Sequence, residues 1–200
     1  MHPCVYYPNL IDYLRIVSLV ISIFTSKKYK LFTIFLFASS DMMDMVDGLL
    51  ARYLNQTSFL GSVLDMSVDR TSSTIITLQI MRYVTQDWHS SFLSLLVLID
   101  MISHWLRYSY GCRYNIHHKE LKSSSRLLDF YYSNKTFLTF ECVSYQMFLI
   151  SFYAWISESE LVKMGHFLMW ICFPFALLKT WISVIQAFDA IKGIGEKEHK

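Results

Sequence analysis

Residues 44–69 read DMVDGLLARYLNQTSFLGSVLDMSVD. Asp44 and Asp47 stand three residues apart, and Asp65 and Asp69 stand four apart. Either spacing places both carboxylates of a pair on one face of a helix. Between the pairs lie Gly48, Ala51, Arg52 and Gly61, together with the polar run Asn55-Gln56-Thr57, which reads as a turn. One helix therefore runs down into the turn and the next returns from it, so that two acidic faces meet near its end. Asp41, three residues before Asp44, reads as a solvated neighbour of this group.

The surrounding sequence is apolar. Of 200 residues, 54% are hydrophobic and 17% charged, and the mean hydropathy is +0.32; soluble domains carry about 25% charged residues. A soluble chain of this size has too little interior to hide so much apolar surface, whereas lipid accepts it. Six segments come close to the roughly 20 residues that a helix needs to cross the hydrocarbon. They cover residues 10–25, 31–52, 59–82, 91–110, 135–156 and 161–190. Asp87 and His89 read as a turn before the fourth, and a polar, basic stretch runs from Arg113 to Arg126. Pro174 is a candidate kink in the last segment, and the closing GEKEHK reads as a frayed tail. With only 3 prolines and 6 glycines, the chain favours long helices over strands. The expectation is an all-α, polytopic membrane protein with six transmembrane helices, forming a single catalytic domain over residues 1–200.

Charge and cysteine content exclude other classes. A net charge of +2 offers no strong field for nucleic acid. Cys4, Cys112, Cys142 and Cys172 are scattered, without metal-site spacing, and read as buried, inert thiols. Asp12 and Arg15 interrupt the first apolar segment, which argues against a cleaved signal peptide. With six spans, both termini share one side with Arg52, Arg107, Arg113, Lys119, Lys122, Arg126 and Lys135. The positive-inside bias makes that side cytosolic, with Lys27, Lys28 and Lys30 opposing it. On this layout Arg107, Arg113, Lys119, Lys122 and Arg126 are either solvated loop cations or attractors of anionic headgroups. Tyr131 and Tyr132 read as interfacial aromatics.

Carboxylates inside a membrane are costly and are functional candidates by default. Four of them close together in poor solvent repel strongly unless cations join them. No His or Cys stands in the group, so hard oxygen-seeking Mg²⁺ or Mn²⁺ suits it better than zinc. A pair of such ions suits displacement at phosphorus, where they neutralise the attacking and leaving oxygens.

The stretch matches every fixed position of D-x2-D-G-x2-A-R-x8-G-x3-D-x3-D, eight specified residues across 26 positions. On this motif the chain is identified as resembling the CDP-alcohol phosphotransferase family. The resemblance implies a six-helix membrane fold, usually a homodimer, with its active site open to the cytosol. It implies that Asp44, Asp47, Asp65 and Asp69 serve a two-metal site, with Asp69 as the catalytic general base. It further implies that Gly48, Ala51 and Gly61 leave room for the CDP moiety, with Arg52 ordering the site. Pro8-Asn9-Leu10-Ile11, followed by Arg15, resembles the family's lead-in to its first helix and brings Asn9 to the CDP side.

Within the family, LNQTSFLGSVLDMSVDR, DMISHWLRYSY, HHK and LLDFYYSNKTFL are similar to elements of the eukaryotic phosphatidylinositol synthase branch. That branch implies CDP-diacylglycerol as donor, myo-inositol as acceptor and the endoplasmic reticulum as location, with His104, His118 and Lys119 as acceptor-side candidates. Leu49 stands where this branch commonly has His, and Lys135 where it has Arg. Glycerol phosphate, serine, choline or ethanolamine chemistry remains the alternative within the family. Outside it, a membrane cation transporter is the alternative, although such a protein has no need of Gly48, Ala51, Arg52 and Gly61 at fixed offsets.

Overall fold

The computed structural model describes residues 2–113 and 125–198, so His117, His118, Lys119 and Lys122 lie outside the described residues. Among the described residues there is no strand. A 3-10 turn, Pro3–Val5, precedes α1 (Tyr7–Thr25), α2 (Lys30–Tyr53), α3 (Phe59–Met81), α4 (Asp87–Arg113), α5 (Arg126–Ser133), α6 (Lys135–Ile156) and α7 (Val162–Glu198). The six long helices coincide with the six apolar segments. Three details differ from the sequence reading. Asp87 and His89 belong to the first turn of α4, where an acid complements the helix dipole. The helix α5, with Leu128 and Tyr131 on its buried side, was not foreseen. Finally, α7 runs through Pro174 and on to Glu198, so the tail residues up to that point are helical.

Among the described residues, four helices, α1, α4, α6 and α7, are long and apolar enough to cross a membrane. With 24 and 23 residues, α2 and α3 reach about 35 Å, long enough to span. Asp41, Asp44 and Asp47 on α2, and Asp65, Asp69 and Arg70 on α3, are what lower their apolar character.

Contacts divide the chain into two compact units, Met1–Gln86 with Leu149–Met169, and Asp87–Phe148 with Trp170–Lys200. In the first unit, α1 packs on α2 and α3 with an inverted pattern of polarity. Its buried stripe is Pro8, Asn9, Asp12, Arg15, Ser18, Leu19 and Ser22, while Leu14, Val17, Val20, Ile21 and Phe24 are exposed. Polar residues inside and apolar residues outside suit a lipid solvent, where the interior alone can satisfy polar groups. At the far end of α1, the Ser26 hydroxyl donates to Gln79 Oε1 at 2.6 Å, and the Tyr153 hydroxyl donates to Ser26 O at 2.6 Å. Gly165 lets α7 approach α6 closely, since a Cβ there would stand 2.8 Å from Ser151 O.

The second unit has its own core of Leu128, Tyr131 and Ile182, with Leu127, Tyr132, Phe137, Leu138, Leu178 and Ile185 packed around it. Several of its buried charges have defined partners, whereas both oxygens of buried Glu141 lack a hydrogen bond. Arg107 donates to Asp189 at 2.9 Å and lies over the Tyr132 ring at 4.7 Å. The Tyr132 hydroxyl donates to Gln186 Oε1 at 2.6 Å, and Gln186 Nε2 donates to Ser103 O at 3.0 Å. Lys179 is buried and donates to the Tyr131 hydroxyl at 2.7 Å. Arg107 is therefore no solvated loop cation, and Tyr131 is core rather than interfacial belt. The cysteines depart from expectation as well: all are free, with Cys4 and Cys112 exposed and Cys142 and Cys172 half-buried.

Two stability predictions follow from this packing. Arg107→Leu strands a buried Asp189 carboxylate and should cost about 3–5 kcal/mol, read as a lowered thermal midpoint in detergent. The double variant Arg107→Leu/Asp189→Leu should recover most of that loss, because it removes both charges. At Gly61, an added Cβ would stand 2.7 Å from Asn9 Oδ1. Gly61→Ala should therefore lower the midpoint by the equivalent of about 1–3 kcal/mol, with partial recovery in Asn9→Ala/Gly61→Ala.

Candidate functional site

The site is built on three helix faces of the first unit. Leu54 to Ser58 make the turn between α2 and α3. Asn55 takes a positive φ of 54° there, a conformation that Asn tolerates better than most residues. The Ser58 hydroxyl caps α3 by accepting from Gly61 N at 3.0 Å. Gln56 Oε1 accepts from Tyr7 N at 2.9 Å and so ties the turn to the start of α1. With the turn and α1 joined, the helical spacing on α2 carries Asp44, Asp47 and Ala51 along one face. Gly61, Asp65 and Asp69 follow one another at four-residue steps on α3.

The aspartates converge on Arg15. Its Nη1 lies 2.7 Å from Asp44 Oδ1, 3.2 Å from Asp12 Oδ1, 3.2 Å from Asp47 Oδ2 and 3.9 Å from Asp65 Oδ1. Its Nη2 donates to Asp69 Oδ1 at 2.7 Å. Arg70 stands 3.9 Å from the other oxygen of Asp69. The cluster has a closed and an open side. The side chains of Asp12 and Asp47 are 3% and 6% exposed, those of Asp44, Asp65 and Asp69 36%, 42% and 28%. An incoming charged group meets the second set first.

Asp44, Asp47 and Asp65 each offer a carboxylate oxygen within 4.8 Å of the others, a grouping able to hold a metal ion. An all-oxygen donor set of this kind fits a hard divalent cation. Three of the four aspartates singled out from sequence thus form the metal-competent group, and Asp69 joins them through Arg15.

The remaining sequence-predicted residues fall into three sets. Gly48, Ala51 and Arg52 follow the acids on α2; a Cβ at Gly48 would stand 3.7 Å from Arg52 Nη1, so the arginine runs beside the glycine. Asn9 is buried, donates to Pro3 O at 2.7 Å and packs against Gly61, so the space at Gly61 is filled by its carboxamide. His104 belongs to the second unit, where its Nδ1 is 2.8 Å from Asp100 O and 3.3 Å from Asp100 Oδ1. His118 and Lys119 lie outside the described residues.

Sequence reasoning missed the central cation and one of its partners. Asp12 and Arg15 are 2% and 1% exposed, the two charged residues on the buried stripe of α1. The available signal was their three-residue spacing within an apolar helix, which places an acid and a base on one face together.

Comparison with known proteins shows the family. The model of the CDP-alcohol phosphatidyltransferase family matches residues 5–191. A CDP-diacylglycerol–inositol 3-phosphatidyltransferase of Candida albicans is 31% identical over 189 residues, covering 92% of this chain and 80% of its own. The protein of that name from Saccharomyces cerevisiae is 30% identical over 202 residues, covering 100% and 90%. The human one is 33% identical over 193 residues, covering 94% and 90%. No solved structure matches the chain. The chain belongs to the CDP-alcohol phosphatidyltransferase family and is an integral-membrane transferase.

Proposed function

We propose that the chain is a phosphatidylinositol synthase, transferring the phosphatidyl group of CDP-diacylglycerol to myo-inositol with release of CMP. The observation that carries this reading is the convergence of Asp44, Asp47, Asp65 and Asp69 on one open-sided cluster. The names of the relatives from Candida albicans, Saccharomyces cerevisiae and human favour inositol as acceptor.

In this reading Asp44, Asp47 and Asp65 hold Mg²⁺ or Mn²⁺, with Asp69 completing the two-metal site. The ions supply charge neutralisation at the phosphates. Asp69 is the general base. Arg15 holds its Oδ1 at 2.7 Å, which orients the carboxylate. The base takes the proton of an inositol hydroxyl, the freed oxygen attacks the phosphorus that carries diacylglycerol, and CMP leaves with the bonding pair. Gly48 and Ala51 give the CDP moiety room beside Arg52, with Gly61 and Asn9 packed at the same end. His104, His118 and Lys119 are assigned to the acceptor side. The same reading gives the protein six membrane spans, a homodimeric state and a place in the endoplasmic reticulum with the site facing the cytosol.

The test is incorporation of radiolabelled myo-inositol by purified protein in lipid, with CDP-diacylglycerol and Mn²⁺ or Mg²⁺. Wild type should make labelled phosphatidylinositol, and chelation with EDTA should abolish it. Asp69→Asn should lose about 10²–10⁴-fold in turnover while still binding CDP-diacylglycerol. CMP release with glycerol phosphate or serine but not with inositol would overturn the acceptor and keep the reaction class.

A further inference from the structure

We propose that Arg15 is a resident counter-ion of the carboxylate cluster, competing with metal for Asp44, Asp47 and Asp65 and withdrawing onto Asp12 and Asp69 as metal binds. This role rests on the metal-site reading above.

The position of the guanidinium is the first argument. Nη1 lies 2.7, 3.2 and 3.9 Å from oxygens of Asp44, Asp47 and Asp65, in the midst of the metal-competent group. A divalent ion drawing such ligands to roughly 2.1 Å needs that space and repels a cation already there. Arginine cannot relieve the conflict by losing its proton, so it must move.

The second argument is how it could move. The fork separates its acceptors, with Nη2 donating to Asp69 and Nη1 to Asp12 and Asp47, while Asp44 and Asp65 face Nη1 only as neighbouring charges. Nη1 can release Asp44, Asp47 and Asp65 while Nη2 keeps Asp69 Oδ1, which leaves the other Asp69 oxygen for the two-metal site. Asp12, one helical turn earlier on the same helix and 3.2 Å away, travels with Arg15 and remains its partner. Asp12 is therefore an anchor for the displaced cation.

The third argument is the quality of the present bonding. Arg15 is 1% exposed, yet its Nε has no hydrogen-bond partner. A buried arginine kept for structure alone would be expected to use all its donors. One that is held by the charge of several acids, none of which it owns exclusively, need not. Five carboxylates around one guanidinium, with Arg70 at the edge, leave an excess of negative charge that further cations can enter. Arg15 thus keeps the acids from driving the three helices apart before metal arrives, at the expense of metal affinity.

The experiment is Mn²⁺ binding to the full-length protein in lipid nanodiscs, read by the electron paramagnetic resonance of free Mn²⁺, with thermal midpoints taken in EDTA and in Mn²⁺. Arg15→Gln should bind Mn²⁺ roughly tenfold tighter or more, since a competing unit charge is gone. Its midpoint in EDTA should fall below that of wild type, and Mn²⁺ should raise it by a larger step. Arg15→Lys keeps the charge but cannot bridge Asp47 and Asp69 with a fork, so its affinity should fall between the two. The lysine variant carries the test if the glutamine variant fails to fold. Tightest binding by wild type, or equal binding by all three, would overturn the counter-ion role and leave the metal site standing. No Mn²⁺ binding by any of them would overturn the metal site and this role together.

Discussion

The contact of Arg15 with five aspartates is the constraint around which the first unit is organised. A carboxylate in a poorly solvated setting is expensive, and several at close range add mutual repulsion. Asp44 and Asp47 come from α2, Asp65 and Asp69 from α3, and the cation that makes their meeting tolerable comes from α1. The three helices are thereby committed to one another. This explains the inverted stripe of α1: a helix that must present Asn9, Asp12, Arg15, Ser18 and Ser22 inward has only its apolar side left for lipid. It also explains why α2 and α3 depart from the hydropathy of spanning helices, since their acids are needed where α1 can reach them.

Much of this was legible in the chain. The three- and four-residue spacings of Asp44, Asp47, Asp65 and Asp69 placed the acids on two helical faces, and the polar run after Arg52 brought those faces together. Helix length could be read from apolar runs because lipid sets a minimum span. What escaped was of one physical kind. Beyond the Asp12–Arg15 pair, the partners of buried charges such as Arg15, Arg107 and Lys179 lie 32 to 82 residues away. Local spacing carries no trace of those pairings. The short helix α5 escaped for a related reason: Leu128 and Tyr131 earn their burial from Ile182, far along the chain. Gly61 has Asn9 of another helix as its close neighbour. Small residues report that something comes close, without saying what.

The two units handle buried charge differently, and the difference locates the chemistry. In the second unit Arg107 faces Asp189 and His104 faces Asp100, while Lys179 donates to the Tyr131 hydroxyl and Glu141 is buried with neither carboxylate oxygen hydrogen-bonded. Tyr131, Tyr132 and Gln186 share hydrogen bonds with these groups, so the network fastens α4, α5 and α7. Apart from Glu141, these groups find partners within the unit, and the network contributes specificity of packing. In the first unit the cluster is unbalanced, with five acids around Arg15 and only Arg70 beside them. Such an arrangement weakens the fold unless other cations share the load. That excess of acids around one guanidinium sets this cluster apart from the Arg107–Asp189 and His104–Asp100 pairs of the second unit. The open side then acquires a meaning of its own. Asp44, Asp65 and Asp69 keep access to solvent, while Asp12 and Asp47 stay with Arg15 on the closed side. Cations can approach where the acids are both in excess and exposed. That condition is met at the meeting of α2 and α3.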